Sequence, residues 1–162
     1  MGNYKANAKN TWNFSLTEDS RKIGDLAYEK WYSFKAEIKL SGREKYKLEP
    51  KGFWDSKIEL TDGRQSLLEF KMGWKGILIN TFFEGNEKTY LLKLKGLLSN
   101  QYVLLDTDQE ELLVAQANFK WKNLTFDFDI ETSEKFEGFE QKELLLLTIL
   151  HCINYYMNNS AG

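Results

Sequence analysis

Residues 144–157 read Leu-Leu-Leu-Leu-Thr-Ile-Leu-His-Cys-Ile-Asn-Tyr-Tyr-Met, and this run decides what kind of fold the chain can adopt. A helix that is apolar nearly all round must be buried, either in protein or in lipid. The run falls short of the ~18 to 20 apolar residues that suggest a membrane span, and it carries His151 and Asn154. No transmembrane span is therefore expected, and the helix should lie inside the protein. A helix from about residue 139 to 158 is predicted. Leu144, Leu145, Leu146, Leu147, Ile149, Leu150, His151, Cys152, Ile153, Tyr155, Tyr156 and Met157 would form its buried body.

Everything before this helix alternates with period two, as strands with one buried face require. Tyr32, Phe34, Ala36, Ile38 and Leu40 share one face, while Ser33, Lys35, Glu37 and Lys39 share the other. Trp12, Phe14 and Leu16 repeat the pattern, as do Leu68, Phe70 and Met72, and then Tyr90, Leu92 and Leu94. Leu113, Ala115, Ala117, Phe119 and Trp121 form the longest alternating strand. Lys122-Asn123 then reads as a two-residue hairpin loop that keeps Leu124, Phe126, Phe128 and Ile130 facing inward. Turns are expected at Ser41-Gly42, Pro50-Lys51-Gly52, Asp62-Gly63 and Gly85-Asn86. Roughly a dozen short strands at hairpin spacing between about residues 10 and 131, with no helical crossovers, predict an antiparallel sandwich or barrel.

The composition is that of one globular domain covering 1–162: 42% hydrophobic, 28% charged and 15% aromatic residues, with a single proline. The net charge of -2 comes from 22 basic and 24 acidic residues, interleaved without a like-charge block. That balance disfavours nucleic-acid binding. Cys152 is the only cysteine, which excludes an internal disulfide. The N-terminus lacks the apolar run of a signal peptide, and Ala6 breaks the usual myristoylation pattern. A cytoplasmic protein is expected.

Lys51-Gly52-Phe53-Trp54, Ile58-Glu59-Leu60-Thr61-Asp62-Gly63, Lys71-Met72-Gly73-Trp74-Lys75-Gly76, Phe119-Lys120-Trp121 and the 144–157 run give the chain a likeness to a known family. Together they span most of residues 10 to 158. In their order and local character they resemble the tubby C-terminal-like superfamily, which includes the plant LURP-one-related proteins and the phospholipid scramblases. The chain looks most like a bacterial-type minimal member. The resemblance implies a mainly β protein, a closed antiparallel barrel of about twelve strands around a central hydrophobic C-terminal helix. It also suggests an anionic membrane lipid as partner, without transferring any family binding residue to a position here. Packing agrees with an enclosed helix: twelve strands make a barrel wider than the eight-strand case that side chains alone can fill.

No catalytic constellation is legible. His151 and Cys152 are neighbours on the apolar helix, where adjacent residues point about 100° apart, so core packing is the expected role of both. One histidine and one cysteine do not make a zinc site. Asp127 and Asp129 share the outer face of a strand, and Asp106, Asp108, Glu110 and Glu111 cluster at a turn without the glycine and ligand rhythm of a calcium loop. Gly52-Phe53-Trp54 matches the lipocalin Gly-x-Trp but lies too far along the chain. Most aromatics occupy alternating positions and are expected in the core. No enzyme activity, metal or cofactor is expected.

The remaining candidates are Lys71, Lys75, Lys93 and Lys95, which could form an outward patch on neighbouring strands and accept phosphate or an anionic headgroup. The resulting expectation is a non-enzymatic binding or interaction module that recognises anionic membrane lipid. The alternative is a lipocalin-like carrier of a small apolar ligand, and the two differ in whether the helix fills the barrel or packs outside it. The sequence does not name a protein partner.

Overall fold

The computed structural model describes residues 1–10, 13–30, 34–52, 57–96 and 99–160, without the side chains of residues 159 and 160. Twelve strands follow one another: β1 Gly2–Asn10, β2 Asn13–Glu18, β3 Arg21–Tyr28, β4 Ala36–Leu40, β5 Lys45–Lys51 and β6 Lys57–Thr61, then β7 Ser66–Met72, β8 Ile77–Thr81, β9 Lys88–Leu94, β10 Gln101–Leu105, β11 Glu111–Lys120 and β12 Thr125–Thr132. A short helix, α1 Glu134–Glu137, precedes the long α2 Lys142–Ser160. Each strand pairs antiparallel with the next, and β1 pairs antiparallel with β12 to close the ring. The fold is the closed twelve-strand barrel expected from the sequence.

The helix lies inside the ring. Its residues from Leu144 to Ile153 are each at most 2% exposed, on every side of the helix. Its rings meet the barrel wall in several directions: His151 contacts Tyr28 of β3 and Phe70 of β7, and Tyr156 contacts Tyr102 of β10. Against β3 the approach is closest at Gly24, where an added Cβ would lie 2.9 Å from Leu147 Cδ1 and 2.7 Å from the Lys39 carbonyl. The inward set is the alternating set, including Leu16, Leu26, Ile38, Leu60, Ile79 and Phe128. Tyr155, Tyr156 and Met157 are half-buried where the helix reaches the far mouth.

Four sequence expectations need correction. The barrel begins at Gly2, well before residue 10, because β1 alternates Gly2, Tyr4 and Ala6 inward with polar residues between. Small inward residues make a weak hydrophobic pattern, yet Ala6 is fully buried. Pro50 lies within β5 instead of a turn and pairs with Ile58; β4 starts at Ala36 opposite Leu48, so Pro50 lies past the end of that ladder and its missing N–H costs no bond there. The long helix starts at Lys142, not at 139. Glu137 and Phe139 form a corner before it, in which the Glu137 carboxylate accepts from Tyr4 Oη (2.8 Å), Thr132 Oγ1 (2.7 Å) and Lys142 Nζ (2.9 Å).

The fourth correction concerns the β11–β12 hairpin. Its register is the one a Lys122-Asn123 loop requires, with Phe119 opposite Phe126 and Ala117 opposite Phe128. The ladder nevertheless stops at Lys120 and Thr125, leaving a four-residue connection in which Trp121 and Leu124 point away from the core. Tyr32, Trp12, Phe53 and Trp54 lie outside the described residues.

Because the chain runs alternately up and down, the connections after β1, β3, β5, β7, β9 and β11 share one end of the barrel. Those after the even strands share the other. The helix enters at the even end, beyond β12, and runs towards the odd end. We call these the entry end and the exit end.

Candidate functional site

The four candidate lysines all fall towards the exit end. Lys71 is the penultimate residue of β7, Lys75 is in the β7–β8 connection, Lys93 is near the end of β9 and Lys95 follows it. Strand β8 lies between β7 and β9, so these positions span three adjacent strands.

Local backbone chemistry brings two of them, Lys75 and Lys93, onto adjoining segments. Gly73 N donates to Gly76 O at 2.7 Å, closing a tight connection. Gly76 has φ 146°, and a Cβ there would lie 2.4 Å from the Leu92 carbonyl and 3.0 Å from Lys93 Cβ. Only glycine lets the connection lie this close to β9, and the result is that the Lys75 loop adjoins Lys93. Lys71, Lys75 and Lys95 are exposed and Lys93 is half-buried. Lys75 Nζ stands 5.2 Å from the Trp74 ring centroid, a cation–π contact. Lys95 Nζ is bonded to Glu111 at 3.1 Å, which makes it the member of the set least available to an external anion.

Trp121 and Leu124, which the alternation placed inward, are outside at this rim, as is Trp74. Trp74 is 92% exposed, Trp121 82% and Leu124 68%. Trp121 packs edge-on to Phe119, with centroids 4.9 Å apart, and Phe119 packs on Phe126 at 5.1 Å. No protein-family model, curated protein or solved structure matches this chain. Function has to be argued from this geometry.

The groups that could suggest catalysis are occupied elsewhere. Asp106 accepts from Asp108 N and Glu110 N, both at 2.9 Å, and from Lys135 Nζ at 2.7 Å; Lys135 first, then these amides, hold its carboxyl below the usual range. Asp127 accepts from Ala8 N and pairs with Lys120, and Asp129 accepts from Asn118 Nδ2. These carboxylates tie strands and connections together; of them, among the described residues, only Asp129 lines a cleft, an open one of about 620 Å³ shared with Asp19 and Glu131. Among the described residues, no group of three or more His, Cys, Asp and Glu side chains gathers around one point.

Cys152 is fully buried, and burial pushes its thiol well above its ordinary value. A reactive cysteine needs the opposite environment. At the entry end a cleft of about 240 Å³ lies between Thr81, Phe83, Lys88, Tyr90, Phe139 and Leu145. On its lip Glu140 hydrogen-bonds Glu84 and raises its carboxyl. The axis itself is filled by the helix, which leaves the interior to side chains.

Proposed function

We propose that this chain is a non-enzymatic binding module, a tubby-like barrel whose exit rim recognises the anionic headgroups of a membrane surface. The observation that carries the reading is the placement of Lys71 on β7, Lys75 in the β7–β8 connection and Lys93 on β9 towards one mouth of a barrel whose axis is filled by the helix, with the Lys75 loop against Lys93. A full interior counts against a carrier of small apolar ligands, because such a carrier needs a lined cavity. The order of elements, twelve antiparallel strands followed by an enclosed helix, supports the family resemblance. Lysines near an anionic leaflet contribute about 1 kcal/mol each, falling off within a Debye length. A cytoplasmic location belongs to the same reading, since that leaflet carries the anionic lipid.

Vesicle flotation tests it. Vesicles of phosphatidylcholine with phosphatidylserine should carry the protein at low salt and release it as salt rises, and vesicles of phosphatidylcholine alone should carry less. Replacing Lys71, Lys75, Lys93 and Lys95 together by glutamine should abolish the difference. Equal recovery of the native chain on anionic and neutral vesicles overturns the proposal.

A further inference from the structure

We infer that the protein docks end-on, with Trp74, Trp121 and Leu124 inserted into the interfacial layer of an anionic bilayer and the entry end facing away from it. The inference rests on the proposed lipid-facing rim and adds an apolar component that lysines alone do not supply.

Three observations carry it. The first is exposure: Trp74 touches Lys75 and Trp121 touches Phe119, yet both rings stay largely in solvent. Trp74, Trp121 and Leu124 are the largest apolar surfaces that the described connections present to solvent, and Leu124 is also held at φ 54°. A left-handed conformation is unusual for a bulky residue. Here it directs an apolar side chain outward, so its cost is not recovered by burial within the chain.

The second observation is composition by end. Trp74 and Trp121 lie in connections at the exit end. Tryptophan is enriched at membrane–water interfaces because its ring is apolar and its N–H polar. The β7–β8 and β11–β12 connections are separated on the ring by β9 and β10. Two anchors set apart in this way define a line across the barrel mouth.

The third is charge. The described exit-end connections carry Lys30, Lys35, Lys75, Lys95 and Lys122 against Glu29, whereas entry-end connections carry Asp19, Glu44, Asp62, Glu84, Glu87, Glu134, Glu137, Glu140 and the acidic 106–110 turn against Arg43, Arg64 and Lys135. A negatively charged surface attracts the first end and repels the second, which orients the barrel before contact. Lysines beside the anchors keep their ammonium groups at headgroup level while their stems cover apolar surface. This complementarity selects an anionic bilayer as the occupant.

The test compares flotation of the native chain with Trp74→Ala/Trp121→Ala/Leu124→Ala on phosphatidylcholine–phosphatidylserine vesicles across a salt series, with tryptophan quenching by chain-brominated lipids as a second readout. The three side chains are exposed, so the variant should keep its native melting temperature. The native chain should show quenching and retain a fraction bound at high salt; the variant should lose that fraction and bind about tenfold or more weakly at every salt concentration. A variant that binds like the native chain, or a native chain that binds without quenching, overturns end-on insertion and leaves the lysine reading standing. Loss of binding in the triple variant with none in the four-lysine variant keeps insertion and removes the lysine reading. A native chain that ignores vesicles but dimerises, and becomes monomeric in the triple variant, overturns both in favour of a rim-to-rim contact between copies.

Discussion

The Tyr28 hydroxyl and His151 Nδ1 are 2.7 Å apart inside the barrel, joining strand β3 to the enclosed helix. Asn154 Nδ2 donates to the same hydroxyl at 3.1 Å. The amide therefore uses the oxygen as acceptor and leaves the hydroxyl proton for the imidazole. That network assigns the proton of the neutral ring to Nε2, which has no hydrogen-bond partner among the described residues. Phe34, Phe70 and Tyr28 surround the ring. The wall thus holds the helix in register through one directional bond set among apolar contacts.

Replacing Tyr28 by phenylalanine removes this bond and leaves Nδ1 buried and unpaired. The expected loss is about 1 to 3 kcal/mol, read as a lower urea midpoint with an unchanged slope. An unchanged midpoint would show that the bond contributes nothing to docking the helix.

The same histidine makes stability depend on pH. Burial lowers its pKa from 6.5 to about 3, against a small opposing effect of the Phe34 backbone. The unfolded chain therefore binds a proton between pH 6.5 and about 3 that the folded chain does not. The contribution is present in full above pH 6.5 and is lost as pH falls, with a slope approaching ~1.4 kcal/mol per pH unit from this group alone. Glu137 acts in the same direction at lower pH: burial pushes its carboxyl up, but hydrogen bonds from Thr132, Lys142 and Tyr4 outweigh this and hold it down. Denaturant melts at pH 7, 6, 5 and 4 should show the decline, and His151→Gln should flatten it between pH 6 and 4. An equal slope in that variant would assign the decline to the carboxylates.

How far the sequence revealed these features depends on where each residue sits relative to a periodic signal. Strand β4 was legible because Ile38 and Leu40 alternate with Glu37 and Lys39, and β9 because Tyr90, Leu92 and Leu94 recur at every second position. The helix was legible because its hydrophobicity has no polar side. Strand β1 was hidden because glycine and alanine occupy most of its inward positions, where close packing and not side-chain size decides burial. Trp121 and Leu124 continue the alternation of their strands beyond the last paired residues, so periodicity alone put them inside. A signal did exist: Trp74 and Trp121 adjoin turn residues, Gly73 and Gly76 for the first and Lys122-Asn123 for the second. The lysine cluster could be proposed from sequence as neighbouring strands, whereas the contact between the Lys75 loop and Lys93 depends on the backbone approach at Gly76.

Cys152 gives a direct measure of how tightly the barrel closes over the helix. It is fully buried and its thiolate is disfavoured, so a thiol reagent reaches it only when the wall opens. Native-state labelling should be at least ~10³-fold slower than labelling in denaturant, as expected for a domain of ordinary stability. Comparable rates would mean that the helix leaves the barrel readily.

The helix should be required for the barrel to fold. Seven leucine and isoleucine side chains between Leu144 and Ile153 are removed from water, each at ~1.5 to 3 kcal/mol, and that gross term is as large as the whole ~5 to 15 kcal/mol net stability of a typical domain. Without the helix, the inward faces of twelve strands would enclose a space too wide for their own side chains to fill. A chain ending at Glu143 should therefore lack a cooperative melt and aggregate through its exposed wall. Gly24→Ala makes a gentler test of the same packing, because its Cβ would collide with both Leu147 and the Lys39 carbonyl; it should destabilise by about 1 to 3 kcal/mol. Leu147→Ala should relieve only the part of that cost due to the leucine, so the double variant should fall short of additivity. A shortened chain that stays monomeric and unfolds cooperatively would show that the strands close without their axial helix.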